Sequence, residues 1–351
     1  MRAVTVTAWG NTPTFTNSAT APAEPTEGTT QIRILASGLP NFVRSLASGT
    51  HYSVRDAPLP YTPGVDGVGY TATDNKLVYF QALTNKPNAG GAFAESINLA
   101  NNTITPVPLP AGADSNNEAQ KREAAIKVAS LINPAMSSWM ALKTRARVDE
   151  LQQSGEKFNV LILGVTSASG RLATLVARHL GASEIIGVAR DAEAVAKLQA
   201  AGRIDHAITL NTENPKKTDY SLLNKVRVHI ALDYIYGSHA LALLSALPSS
   251  PSKADDLEVR YVHIGTLGRE PDIAIPGPLL RSKNIMLSGA GPGSWSVKAL
   301  TRETEGMVKA IVELANSEGW KEEYGVVERR LEDVEEAWND MKSRTVFVMD
   351  L

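Results

Sequence analysis

The residues best suited to chemistry lie together in one short segment, Gly164-Val165-Thr166-Ser167-Ala168-Ser169-Gly170. An apolar run, Asn159–Leu163, leads into it, and an amphipathic stretch, Gly170–Leu180, leads out. Small residues between a buried strand and a helix let the backbone approach an anion closely. The start of the helix offers unpaired N–H groups at the positive end of a dipole. A second apolar run, Glu184–Val188, follows at the spacing of a dinucleotide-binding strand–helix–strand unit. Aligned on its last glycine, the segment places Val165, Ser167 and Gly170 at the glycine positions of G-x-G-x-x-G. The chemistry this points to is pyrophosphate binding, with Gly164, Thr166, Ser167, Ala168, Ser169 and Gly170 around the anion. The plain alternative is a strand–helix turn that holds no ligand.

The end of the second strand chooses between dinucleotides. An acidic residue there would bond the ribose hydroxyls and favour NADH. This sequence has Ala189 followed by Arg190. Losing the acid removes repulsion toward a 2′-phosphate, and Arg190 can offer that phosphate a planar, permanently charged fork. The expected cofactor is therefore NADPH. Asp191 stands next door and pulls the other way, and a solvated surface arginine is the simple reading of Arg190.

These residues need elements to position them. The 351 residues exceed what one core usually organises, so two domains are expected. The first third reads as short strands between turn residues: Arg2–Trp9, Gln31–Ala36, Gly67–Ala72, Lys76–Phe80 and Phe93–Leu99, with a short helix at Asn41–Ala47. Asn116–Leu131 and Ala135–Arg147 read as two helices on either side of Asn133-Pro134. Beyond them strands and helices alternate. Helices are expected at Ala192–Ala200 and His239–Leu247, and strands at Val228–Leu232 and Val259–Ile264, which implies a parallel sheet with right-handed crossovers. A helix at Glu303–Ser317, another at Leu331–Lys342 and a closing strand, Val346–Met349, complete the chain. The expected fold class is α/β, a Rossmann-type doubly wound sheet beside a β-rich domain.

Composition excludes several classes. A formal net charge of −2 without like-charge blocks argues against nucleic-acid or anionic-membrane binding. The chain has no cysteine, so disulfides, thiolate nucleophiles and cysteine-ligated metals are ruled out. No apolar run is long enough to span a bilayer, and the first residues lack the apolar core of a signal peptide. A soluble, cytoplasmic protein is expected.

Several segments together resemble one family. They are ASGLPNFVRSLASGTHY (Ala36–Tyr52), LPYTPGVDGVG (Leu59–Gly69), NPAMSSWMAL (Asn133–Leu142), the phosphate-binding turn, YVHIGTLG (Tyr261–Gly268) and LLRSKNIMLSGAG (Leu279–Gly291). Over nearly its whole length the chain resembles a medium-chain dehydrogenase/reductase of the zinc-less quinone oxidoreductase branch. The resemblance implies a GroES-like domain over residues 1–125, joined by 287–351, and a Rossmann domain over 126–286, with the active site in the cleft between them. It also implies that the cysteine ligand of zinc-dependent relatives falls at Pro40, the histidine of their G-H-E motif at Val65, and the third ligand near Asn133. Pro and Val cannot ligate through side chains, so no metal is expected.

The resemblance assigns further residues. Asn41 lies in the segment that borders the nicotinamide, or serves as a helix N-cap. Tyr52 and His51 fall in the substrate-side loop, where either could bond an acceptor oxygen or pass a proton. Ser137 aligns with a threonine near the nicotinamide, or is a small residue that allows close helix packing. Gly265, Thr266 and Gly291 are expected beside the cofactor, where a glycine can also simply make a turn. Tyr234 ends a Rossmann strand, where ligands gather or where an aromatic caps the core. Ala194 and Leu210 replace a lysine and a tyrosine that grip the 2′-phosphate in the family. A homodimer through a sheet edge near Ile285–Gly289 is also implied.

The activity this implies is hydride transfer from NADPH to a quinone or α,β-unsaturated carbonyl. Such an acceptor is already electron-poor and needs no Lewis acid. The alternatives are an enoyl reductase of a polyketide-like pathway and an NADPH-binding protein without turnover.

Overall fold

The computed structural model describes residues 1–49, 58–82, 90–114, 116–249, 258–314 and 319–350. They form two compact units, Met1–Asn133 with Thr301–Leu351, and Pro134–Leu300.

In the first unit, β1 (Ala3–Thr5) and β2 (Thr14–Thr16) make an antiparallel pair. The larger sheet runs in the order β14 (Val326–Arg329), β15 (Arg344–Val348), β3 (Thr29–Gly38), β4 (Asp66–Thr71), β5 (Leu77–Gln81) and β7 (Ile104–Pro106), with β6 (Ser96–Ala100) also paired to β3. The last strand of the chain thus lies beside β3, with Val346 opposite Gly38. Its helices are α1 (Asn41–Ala47), α9 (Trp320–Tyr324), α10 (Val334–Asn339) and the larger parts of α2 (Glu118–Met140) and α8 (Val297–Leu314), whose residues from Pro134 onward and up to Leu300 belong to the second unit. On α8, Leu300, Thr304, Met307, Val308 and Ile311 repeat at helical spacing and are all buried. One apolar cluster gathers Val4, Leu39, Val43, Val65, Phe93 and Phe347.

Residues 116–147 do not form the two helices expected. Helix α2 runs unbroken through Pro134 and passes into a π-helical turn, Ala141–Arg145. A proline inside a helix leaves the carbonyl four residues back without its N–H donor. That carbonyl belongs to Ser130, and Arg344 Nη1 donates to it at 3.2 Å. A residue far along the chain therefore supplies the bond that proline cannot.

The second unit carries six parallel strands in the order β10 (His206–Thr209), β9 (Ile185–Ala189), β8 (Val160–Leu163), β11 (Ile230–Asp233), β12 (Val259–His263) and β13 (Ile285–Gly289). Counted from β8, this is the 3-2-1-4-5-6 order of a dinucleotide-binding sheet. Every residue of β8, β9 and β11 is buried, as parallel strands covered on both faces require. Helices α3 (Val148–Gln153), α4 (Ala168–His179), α5 (Ala192–Ala200), α6 (Gly237–Ala246) and α7 (Gly277–Ser282) complete the unit. Strand β10 is absent from the sequence reading of the elements, while β13 stands where the sheet edge near Ile285–Gly289 was expected. With one buried residue among its four, β10 lacks the apolar run that marks its neighbours. Among the described residues, no helix is long and apolar enough to cross a membrane.

Candidate functional site

The chain reverses direction across the sheet between β8 and β11, and ligands of open α/β sheets gather at the strand ends on either side of such a point. Here Gly164 leaves β8 with φ +97°, a conformation that favours glycine. A Cβ at Gly170 would lie 2.2 Å from the Gly164 carbonyl oxygen and 2.8 Å from Val165 Cα. Only glycine fits there, and its absence of side chain lets α4 start close against β8. Ser167 caps the helix. Its Oγ donates to the Gly164 carbonyl at 2.8 Å and accepts the Gly170 N–H at 3.0 Å. The Ser167 proton is therefore used within the turn. The N–H groups of Ala168 and Ser169, in the first turn of α4, have no helical acceptor. They and the half-buried Thr166 and Ser169 hydroxyls form a cradle that fits a pyrophosphate.

At the end of β9, Ala189 is buried and its carbonyl accepts the Leu210 N–H at 2.9 Å. Arg190 follows it, exposed. The neighbouring Asp191 is the N-cap of α5, with its carboxylate accepting the Ala194 N–H at 3.0 Å. One oxygen of that carboxylate is thus used by the helix start. Ala194 carries no side chain that could replace the lysine of the family.

At the ends of β8, β11 and β12 three expected residues meet around Tyr234. The Tyr234 hydroxyl lies 3.3 Å from Ser137 Oγ, which itself bonds the Pro134 carbonyl at 2.8 Å. With the serine proton used on that carbonyl, the phenol is the donor. Cβ atoms built at Gly164 and Gly265 would lie 3.2 Å from Tyr234 Cβ and 3.3 Å from its carbonyl oxygen. Tyr234 is 3% exposed, and burial pushes its hydroxyl up to about 12. Gly265 donates its N–H to the Asp233 carbonyl at 3.1 Å, and Thr266 is exposed just beyond. Gly291 stands after β13 in a loop tied by Arg145, which donates to the carbonyls of Gly289 and Ser294.

Residues that the sequence reading did not single out hold this edge together. The carboxylate of Asp233 is fully buried. Its Oδ1 accepts the N–H groups of Ile235 at 2.9 Å and Tyr236 at 2.8 Å, and its Oδ2 accepts the Tyr261 hydroxyl at 2.8 Å. Burial raises its pKa, opposed by these hydrogen bonds. Tyr236 adopts φ 62° and ψ −163°, a region that is essentially glycine-only and costs a side chain about 1–3 kcal/mol. Its ring stacks on His263, with centroids 4.1 Å apart. The one sequence signal was an aspartate at the end of an apolar strand, and nothing local marked Tyr236 itself.

In the first unit, Asn41 is not the N-cap of α1. Pro40 is, because its extended backbone precedes the first helical residue, and Asn41 is exposed at the first helical position. The Asn41 side chain accepts from Arg44 Nη1 at 3.4 Å. Tyr52 and His51 lie outside the described residues. Val65 is buried in the apolar cluster with Leu39, Val43 and Phe93. Its neighbour Asp66 is buried in β4, where Oδ2 accepts the Tyr79 hydroxyl at 3.1 Å and Oδ1 has no partner among the described residues. Burial raises its pKa to about 7, against hydrogen bonds from Tyr79 and Asn133.

One unit with a dinucleotide-type parallel sheet and a phosphate-ready turn, and a second, β-rich unit that takes back the end of the chain, define a two-domain nucleotide-dependent oxidoreductase architecture. No family model matches the chain. An Emericella nidulans protein named "Probable NADPH-dependent quinone reductase tdiC" is 31% identical over 366 aligned residues, covering 97% of each chain. The quinone oxidoreductase of Thermus thermophilus, solved alone and with NADPH, superposes with a TM-score of 0.67 at 19% identity, covering 99% of this chain and 100% of that one. That of Pseudomonas syringae gives 0.65 at 16% identity, covering 99% of both chains. The chain belongs to the medium-chain dehydrogenase/reductase superfamily, in its quinone oxidoreductase-like branch. Its two units are the GroES-like and Rossmann domains of that fold.

Proposed function

We propose that this chain is an NADPH-dependent reductase that passes hydride to a quinone or another α,β-unsaturated carbonyl without a metal ion. One observation carries the reading: an anion-ready turn, Gly164–Gly170, lies beside a strand end where Arg190 is exposed and Asp191 is occupied as a helix cap. The name of the Emericella relative supports both the cofactor and the quinone acceptor.

The bound dinucleotide supplies the hydride. The chain's own residues hold and orient it. Ala168 and Ser169 offer backbone N–H groups to the pyrophosphate, with the Thr166 and Ser169 hydroxyls beside them. Arg190 takes the 2′-phosphate, in place of the family lysine and tyrosine. Ser137, Gly265, Thr266 and Gly291 border the nicotinamide end. Because Gly265 uses its N–H on Asp233, its carbonyl is the group left to accept a hydrogen bond. The family resemblance gives Asn41 a role beside the nicotinamide and Tyr52 the role of donor to the acceptor oxygen that gains charge. The burial of Val65 in an apolar cluster supports the metal-free reading. The unpaired outer edge of β13 supports a homodimer joined along that strand.

Fluorescence titration with NADPH and NADH, using Arg190→Ala as control, tests the cofactor assignment. NADPH is expected to bind more tightly than NADH and to lose that advantage in the variant. Equal binding of both cofactors by the wild type would overturn the assignment. Turnover across a panel of quinones and enones then tests the acceptor class.

A further inference from the structure

The turn after β11 contains a residue whose backbone disagrees with its side chain. Tyr236, at φ 62° and ψ −163°, sits where glycine alone is at ease. A glycine, Gly237, stands one place along, yet tyrosine occupies the costly position. Asp233 enforces the conformation through the N–H groups of Ile235 and Tyr236. The strained backbone delivers the Tyr236 ring onto His263, at 4.1 Å between centroids and 36° between planes. The imidazole is placed by that stack. Its Nδ1 is buried without a hydrogen-bond partner among the described residues, 4.0 Å from Asp233 Oδ2. Asp233 and His263 are register partners at the C-terminal ends of β11 and β12, the edge at which open α/β sheets take ligands. Both rings are half-buried, the His263 side chain keeps 36% of its surface exposed, and Tyr236 also packs against the apolar cluster of this unit.

We propose that the Tyr236–His263 pair is a stacking platform for the planar ring of a bound reactant, and so determines specificity in the reaction proposed above, on whose reading it rests. Quinones and the nicotinamide share the chemistry required, a flat and electron-poor ring that gains from an electron-rich aromatic face. The platform gives the tyrosine a use where the fold alone would favour glycine. The ring is what the position supplies.

Tyr236→Gly separates the two demands, because it removes the ring and suits the backbone. The relieved backbone offsets the packing that the ring gives up, so the melting temperature is expected to change little while one binding constant weakens by about fivefold. Tyr236→Phe, which keeps the ring, is expected to stay near the wild type in both constants. A rise confined to KM for a quinone assigns the stacked ring to the acceptor, and a rise confined to Kd for NADPH assigns it to the cofactor. His263→Leu removes the other half of the stack without touching the strained backbone, and must weaken the same constant. Unchanged KM and Kd in Tyr236→Gly or in His263→Leu overturn the platform while leaving the reductase reading intact. A wild-type protein that binds no NADPH and reduces no quinone overturns both.

Discussion

Val165 shares with Ile204 the hollow left by Gly187. The valine is fully buried, and a Cβ built on Gly187 in the neighbouring strand would lie 3.1 Å from Val165 Cγ1 and 2.6 Å from Ile204 Cδ1. The first glycine of the dinucleotide motif is missing from this turn, and a glycine in β9 makes room for its replacement. Gly187→Ala is therefore expected to overpack the strand and cost about 1–3 kcal/mol in urea unfolding. Adding Val165→Ala should recover part of that loss, so the double variant is less destabilised than the sum of the singles. Strict additivity would mean that the two residues do not share the space.

The relationship also marks how far the sequence could be read. The turn, α4, β8 and β9 were legible because small residues, an amphipathic helix and apolar strands follow one another in order. The departure at Val165 was legible as well, but its compensation was not, since Gly187 reads as an ordinary strand residue until the two strands are paired. Tyr236 escaped for the same reason. Nothing local marks a tyrosine for a glycine-only conformation, and the Asp233 bonds that hold it exist only in three dimensions. The N-cap reading of Asn41 failed on a shift of one residue, because Pro40 can supply the extended backbone of a cap without a side-chain bond.

Pro134 misled the helix assignment, and its repair is testable. Ser130 is 3% exposed, so its carbonyl needs the Arg344 donor that replaces the missing proline N–H. Arg344→Met is expected to destabilise the protein by about 1–3 kcal/mol. Pro134→Ala restores the N–H within the helix, and in that background the arginine should matter less, by on the order of 1 kcal/mol. An equal cost of Arg344→Met in both backgrounds would show that the guanidinium stabilises through other contacts.

Asp66 gives a pH dependence with a definite sign. Its carboxyl has a pKa of about 7 in the folded chain, raised by burial, against about 4 in the unfolded chain. The folded state then holds the proton more tightly, so this group's contribution to stability falls as pH rises from about 4 through about 7. Asp66→Asn cannot ionise and keeps an acceptor for the Tyr79 hydroxyl. It is expected to be more stable than the wild type at pH 8, by on the order of 1–4 kcal/mol, with the gap narrowing toward pH 5. Chemical denaturation of both proteins at the two pH values measures it. A gap that widens toward pH 5 would mean that the carboxyl is stabilised as the anion.

The outer edge of β13 is the place to test assembly. Strand Ile285–Gly289 ends the six-stranded sheet, among the described residues it pairs with β12 alone, and Leu287 is 39% exposed on it. An unpaired apolar edge strand offers free N–H and C=O groups to a second copy, and a two-fold axis beside it would continue the sheet from one protomer into the next. The wild type is expected to sediment as a dimer. Leu287→Lys, which sets like charges against each other across such an axis, is expected to sediment as one chain. Its fold should be unchanged by circular dichroism, because the position is exposed. NADPH binding should survive in the monomer if the Gly164–Gly170 turn and Arg190, which lie at other strands, hold the cofactor within a single chain. A wild type that sediments as one chain would remove β13 as an interface, and a variant that remains dimeric would place the contact elsewhere.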